Sequence, residues 1–152
     1  MKLRVYLDTS VFSAYLDERL PDRQAETVEF WERLAHFEVT TSEMCRTEME
    51  ATPDETRRAE LLELLGGIGV YEVTEEMQQV AWHYVEAGIF TDLMLRDAIH
   101  LAAAVLGGAD VLVSWNFRHL VNRRRRVMVA EANAQLDLPS IEIVAPPEMW
   151  GA

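Results

Sequence analysis

Two residue types are nearly missing from this chain of 152 residues: it has one cysteine, Cys45, and one lysine, Lys2, so that the other thirteen cations are all arginine. A single cysteine excludes an internal disulfide and fits a reducing compartment, so a cytoplasmic location is expected. No apolar run approaches the roughly 20 residues that span a bilayer, and Asp8 interrupts the start of the chain before a signal-peptide core can form. Phosphate-binding glycine motifs are also missing: there is neither a Gly-x-x-x-x-Gly-Lys loop nor a Gly-x-Gly-x-x-Gly turn. The formal net charge of −12 excludes a protein that holds nucleic acid by bulk electrostatics. Against that background stands one compact basic block, Arg123-Arg124-Arg125-Arg126. With 49% apolar and 26% charged residues, the composition is that of an ordinary globular protein, and the length suits one domain over 1–152.

Strand-like and helix-like patterns alternate along the chain, with no repeat or low-complexity tract. Strands are expected at Leu3–Asp8, Phe37–Thr41, Val70–Val73, Val111–Trp115 and Ile141–Val144, where β-branched and aromatic residues cluster. Between them lie helical patterns. Ser10 is the expected cap of the first and Pro21 opens the second. Ser42 caps the third, to about Ala51, and Pro53 starts one that ends at Gly66-Gly67. Thr74 caps a helix to Gly88, and Asp92 starts a very apolar one ending at Gly107-Gly108. Helical turns through the arginine block precede the last strand. Alternation of this kind predicts a three-layer α/β/α sandwich with a mostly parallel central sheet.

Four polar residues sit where such a fold makes them expensive or conspicuous. Asp8 ends the first strand, at the sheet edge where ligands bind in open α/β sheets, and a carboxylate there calls for a cationic partner. Glu48 falls on the apolar stripe of its helix with Met44 and Cys45, either snorkelling at the margin or placed for a purpose. Asp97 lies on the line Leu93–Asp97–Leu101 of the most apolar helix, where a carboxylate is hard to explain structurally. Asn116 ends the fourth strand as Asp8 ends the first, with Ser114 nearby. Asp92 reads as a cap that pairs with Arg96, and His100 as a core histidine satisfied by a neighbour such as Asp97. Asp110 sits at the far end of its strand, about 20 Å from Asn116 at 3.3 Å per residue. Asp8, Glu48, Asp97 and Asn116 can therefore converge. Three hard oxygen anions without His or Cys at ligand spacing match Mg²⁺ or Mn²⁺ rather than zinc. Such a cation would lower the pKa of bound water and offset charge on a phosphodiester.

Four segments resemble, in this order, a PIN-domain ribonuclease, and more closely a VapC-type toxin of a type II toxin–antitoxin pair. They are Leu7-Asp8-Thr9-Ser10-Val11-Phe12, Ser42 with Glu48 six residues on, Arg96 to Ala102, and Ala109 to Leu120. The resemblance spans essentially the whole chain. It implies that Asp8, Glu48 and Asp97 carry the metal, and that the catalytic group consists of these three with Asn116. Many members have Asp at the fourth position, so Asn116 implies a weaker or missing second metal site. It further implies an RNA substrate (tRNA, rRNA or mRNA), a small antitoxin partner whose tail occludes the acidic crevice, and a homodimer.

Two enzyme alternatives fail on single residues. A phosphorelay receiver needs a lysine on a late strand, and the only lysine is Lys2; a haloacid-dehalogenase-type phosphatase wants a second Asp two residues after the first, where Ser10 stands. The competing class is a PIN-like module that binds RNA or a protein without cleaving it, which Asn116 and the acidic net charge favour. Arg123, Arg124, Arg125 and Arg126 read either as a solvated face or as contacts to RNA phosphates beside the crevice.

Overall fold

The computed structural model describes residues 2–150. Five parallel strands, β1 (Leu3–Leu7), β2 (Phe37–Ser42), β3 (Gly69–Tyr71), β4 (Val111–Val113) and β5 (Glu142–Val144), form one sheet in the order β3-β2-β1-β4-β5. The helices are α1 (Thr9–Leu16), α2 (Pro21–Glu32), α3 (Glu43–Glu50), α4 (Glu55–Leu65), α5 (Glu75–Glu86), α6 (Leu95–Leu106) and α7 (Arg123–Gln135). The chain first adds strands to one side of β1 and then returns to add β4 and β5 on the other. The order of winding therefore reverses between β1 and β4, and a crevice opens at the carboxyl ends of those two strands.

The period of two along each strand assigns the layers. Tyr6 of β1 pairs with Thr40 of β2, and its hydroxyl reaches Ser42 and His100 of α6 at 2.7 Å each. Tyr71 of β3 pairs with Ser42 and donates to the Ala103 carbonyl of α6 at 2.7 Å. These residues face α6. On the opposite face Phe37 of β2 stacks on Phe30 of α2. The sheet thus lies between two helical layers, and it is parallel throughout.

Burial on both faces explains the apolar run Val5-Tyr6-Leu7 that ends β1, all three residues being fully buried. α6 is buried from Ala98 to Val105. Its C-terminal end passes so close to β3 that a Cβ at Gly107 would collide with the Tyr71 hydroxyl, and Gly108 follows in the left-handed region (φ 85°).

Several boundaries differ from the sequence expectation. Asp8, not Ser10, caps α1: its carboxylate accepts the Ser10 backbone N–H at 3.0 Å. Residues Asp92–Met94 form a 3₁₀ turn, and α6 begins only at Leu95, with Met94 at the cap position. Asp92 makes no side-chain cap, and no Asp92–Arg96 ion pair occurs among the described residues. A cap needs its side chain beside the first free N–H groups, and the 3₁₀ turn separates Asp92 from them.

Candidate functional site

Asp8 lies one residue past β1, so the strand delivers its side chain to the α6 side of the crevice. It is only 4% exposed. One oxygen accepts from the Ser10 backbone N–H and hydroxyl, and the other accepts from the Ser114 hydroxyl at 2.6 Å. Burial pushes its pKa up and the charge of Asp97 adds to this, against the lowering effect of His100 and the two serines. A buried anion held only by neutral hydroxyls and one amide is short of countercharge.

Glu48 reaches the same edge from α3. Its Oε1 accepts from the Thr9 hydroxyl at 2.7 Å and from Nε2 of His100. His100, almost fully buried on α6, is held at its other nitrogen by the Tyr6 hydroxyl. Burial works against the charge of both partners. The hydrogen bond and charge between them outweigh it, leaving the Glu48 carboxyl lowered and the His100 imidazole raised. The two form an ion pair whose far end is anchored through Tyr6 to Ser42 of β2.

Asp97, in the first turn of α6, pairs with Nδ1 of His119 at 2.8 Å. His119 belongs to the loop after β4, and its backbone N–H donates to the side-chain oxygen of Asn116 at 2.9 Å. The Asn116 N–H in turn donates to Ser114, the same hydroxyl that binds Asp8. Asn116 therefore organises the loop with its oxygen and has its carboxamide N–H₂ left for other work.

The four sequence candidates Asp8, Glu48, Asp97 and Asn116 thus meet at the mouth of the β1/β4 crevice, joined by Thr9, Ser10, His100, Ser114 and His119. Each of the first three keeps unbonded lone pairs on carboxylate oxygens, and a set of hard oxygens fits Mg²⁺ or Mn²⁺ in donor chemistry. Among the described residues, however, no three His, Cys, Asp or Glu side chains stand close enough together to hold a metal ion as placed. Asp110 stays at the opposite edge of the sheet, where its carboxylate accepts the Arg4 N–H at 2.9 Å.

The arginine block divides. Arg123 and Arg124 are exposed in the first turn of α7 and form no ion pair among the described residues. Arg125 donates to the carbonyls of Arg118 and His119 and lies over the Phe90 ring. Arg126 donates to the Ile143 carbonyl of β5 and pairs with Glu148. Two of the four are structural.

The sequence model of the PIN domain matches residues 5–124. This chain belongs to the PIN-domain family. Solved structures with the same fold include VapBC2 from Rickettsia felis bound to a DNA fragment from its promoter, with a TM-score of 0.58 and 13% identity over 98% of this chain and all of that one. A toxin–antitoxin complex from Klebsiella pneumoniae gives 0.58 and 15% identity, covering 80% of this chain and 93% of that one. VapBC-5 from Mycobacterium tuberculosis gives 0.50 and 22%, covering 93% and 98%. No curated protein sequence matches this chain. Among the described residues, no helix is long and apolar enough to cross a membrane.

Sequence reasoning missed His119 as the partner of Asp97 and the pairing of His100 with Glu48 rather than with Asp97. Both involve contacts between separate elements, which no local spacing encodes. The polar run Asp8-Thr9-Ser10 was the available signal for the serine and threonine shell.

Proposed function

We propose that this PIN domain is a divalent-cation-dependent endoribonuclease, the toxin of a type II toxin–antitoxin pair. The reading is supported by Asp8, Glu48 and Asp97 lining the β1/β4 crevice of a PIN-family chain, with Asp8 buried and short of countercharge; holding a cation would require them to draw closer than they stand. Asp8, Glu48 and Asp97 would hold Mg²⁺ or Mn²⁺, which when bound supplies an activated water and offsets phosphodiester charge. The protein residues do the rest. His100 and Thr9 orient Glu48, His119 orients Asp97, and Ser10 with Ser114 orient Asp8. Asn116, its oxygen bonded to the His119 N–H, offers its N–H₂ to a water or phosphate oxygen. Arg123 and Arg124 are the members of the arginine block available to RNA phosphates.

The partners in this reading are an RNA (tRNA, rRNA or mRNA), a small antitoxin and a second copy of the chain. The fold shared with two toxin–antitoxin assemblies supports the antitoxin. A second copy remains the family expectation, and Trp82 (45% exposed) and Leu93 (96% exposed) are apolar side chains open to it. A cytoplasmic setting accompanies the single buried Cys45. A binding module without cleavage is the second reading, favoured by Asn116 in place of an acid. Purified protein incubated with RNA in Mg²⁺, Mn²⁺ or chelator separates the two. Cleavage that needs the cation and disappears in Asp97→Asn is expected; cleavage retained by Asp97→Asn refutes the assignment.

A further inference from the structure

Beside the acidic crevice, on the other face of the sheet, lies a second pocket that the carboxylates do not explain. It has a volume of about 480 Å³, and Ser10, Arg23, Trp115, Asn116, Phe117 and Arg118 are among its walls. Ser10 and Asn116 belong to both sites, so the pocket opens directly from the crevice. Trp115 is its floor. The indole is 8% exposed and its N–H donates to Thr27 of α2 at 2.9 Å, which fixes the ring. Phe117 packs edge-on against it, with centroids 6.0 Å apart, yet remains 47% exposed. The Arg23 guanidinium lies over both rings, 5.0 Å from the Trp115 centroid and 5.8 Å from that of Phe117.

The charges of the pocket are as uneven as its shape. Neither Arg23 nor Arg118 forms an ion pair among the described residues. The one carboxylate in the wall, Asp17, is already bound by Arg19 through both oxygens. In a chain of net charge −12 this leaves a local cationic spot. A half-exposed ring beside two guanidiniums without carboxylate partners suits a ligand with a flat aromatic face and an anionic group. Single-stranded RNA is such a ligand, because each base stacks without demanding a sequence and each phosphate carries charge. A duplex is not, since its bases are already stacked.

We propose that Phe117, Arg23 and Arg118 form a subsite for one unpaired nucleotide next to the phosphate at the Asp8–Asp97 crevice. The base stacks on the exposed Phe117 ring, and Arg118 and Arg23 take the adjoining phosphate. The subsite rests on the ribonuclease reading for its place beside a scissile bond, and it makes the substrate a strand that is single at that position. The arginines lie on α2 and the loop after β4, the aromatics follow β4, and the carboxylates come from β1, α3 and α6. A bound strand would therefore run across the sheet edge from one helical layer to the other.

The test measures binding and cleavage separately, on full-length protein. Labelled single strands of about ten nucleotides, poly-uridine and poly-adenosine, are titrated in chelator, and the same strands are then incubated with Mg²⁺. Phe117→Ala is expected to weaken binding of both strands by about tenfold, within the range of one lost base stack. Phe117→Tyr is expected to restore it, and Arg118→Gln to reduce the salt dependence by about one phosphate contact. A self-complementary duplex should bind wild type and Phe117→Ala alike. Single-strand affinity unchanged in Phe117→Ala overturns the subsite even if wild type cleaves, and assigns the pocket to a protein partner. Tenfold weakening in a protein that never cleaves upholds the subsite and refutes the nuclease. Wild type that cleaves RNA only as duplex overturns the subsite and leaves the nuclease standing.

Discussion

Two aspartates at opposite edges of one sheet, Asp8 and Asp110, show how differently the same side chain can be housed. Asp110 is exposed, and its carboxylate accepts a single backbone N–H across to Arg4 of β1. It stitches the β1 and β4 ends together and remains solvated. Asp8 is buried among hydroxyls with the charge of Asp97 close by, and its pKa is raised. Folding gains a hydrogen bond from the first and bears a desolvation cost for the second. Under the proposed function, a bound cation would compensate that cost, and this is what distinguishes one edge of the sheet as the candidate site.

The largest effect should therefore separate the edges by activity. Asp8→Asn and Asp97→Asn should each lower RNA cleavage in Mg²⁺ at least about a hundredfold, because a held cation contributes several kcal/mol to the transition state. Asp110→Asn should leave the rate unchanged. Comparable loss in all three would mean that the two edges do not differ in function.

Stability should separate them next. Removing His100 leaves Glu48 and the Tyr6 hydroxyl without their partner inside α6, and His100→Ala should cost about 3 kcal/mol in urea melts. Asp110→Ala, which loses one exposed hydrogen bond, should cost about 1 kcal/mol or less. The crevice also carries its own pH signature. His100 is raised, so its contribution is complete below the ordinary value of 6.5 and is lost as pH rises through its folded value. Glu48 is lowered, so its contribution is complete above 4.5 and is lost as pH falls through its folded value. Asp8 is raised from 3.8, which adds a cost as it ionises with rising pH. In chelator, wild type should be most stable between about pH 4.5 and 6.5 and lose stability as pH rises through the folded value of His100. His100→Gln should flatten the alkaline side of that profile; an unchanged slope would place the titrating group elsewhere.

How much of this was legible in the sequence follows from which interactions are local. The parallel sheet and the crevice were readable because the apolar run Val5-Tyr6-Leu7, buried on both faces, leads straight to Asp8. Glu48 was readable as a misfit on the stripe of Met44 and Cys45, whereas the line Leu93–Asp97–Leu101 that singled out Asp97 is no apolar stripe, since Leu93 stands 96% exposed in the 3₁₀ turn before α6. Their partners were not. His100 and Glu48 are far apart in the chain, and His119 reaches Asp97 from a loop whose path depends on the Asn116 oxygen. The start of α6 was misplaced for a related reason: Asp92 is a good cap by type, but the preceding 3₁₀ turn moves it out of reach. The pocket at Trp115 and Phe117 needed the packing of α2, which lies far from β4 in the chain, to bring Arg23 over the rings.

The smallest effect concerns the arginine block, where composition alone treats four neighbours as equals. α7 separates them by direction. Arg125 and Arg126 turn inward to carbonyls of the β4 loop and β5, whereas Arg123 and Arg124 stay in solvent. Arg123→Gln with Arg124→Gln should leave the melting temperature unchanged and lower the salt dependence of RNA binding by about two phosphate contacts. Arg125→Gln with Arg126→Gln should instead lower stability by roughly 1–2 kcal/mol, through the lost bonds to backbone carbonyls. If RNA is the substrate, the acidic crevice would repel it, and these outer cations would act on encounter rather than on the chemical step. A salt dependence unmoved by the outer pair would leave Arg23 and Arg118 as the phosphate contacts.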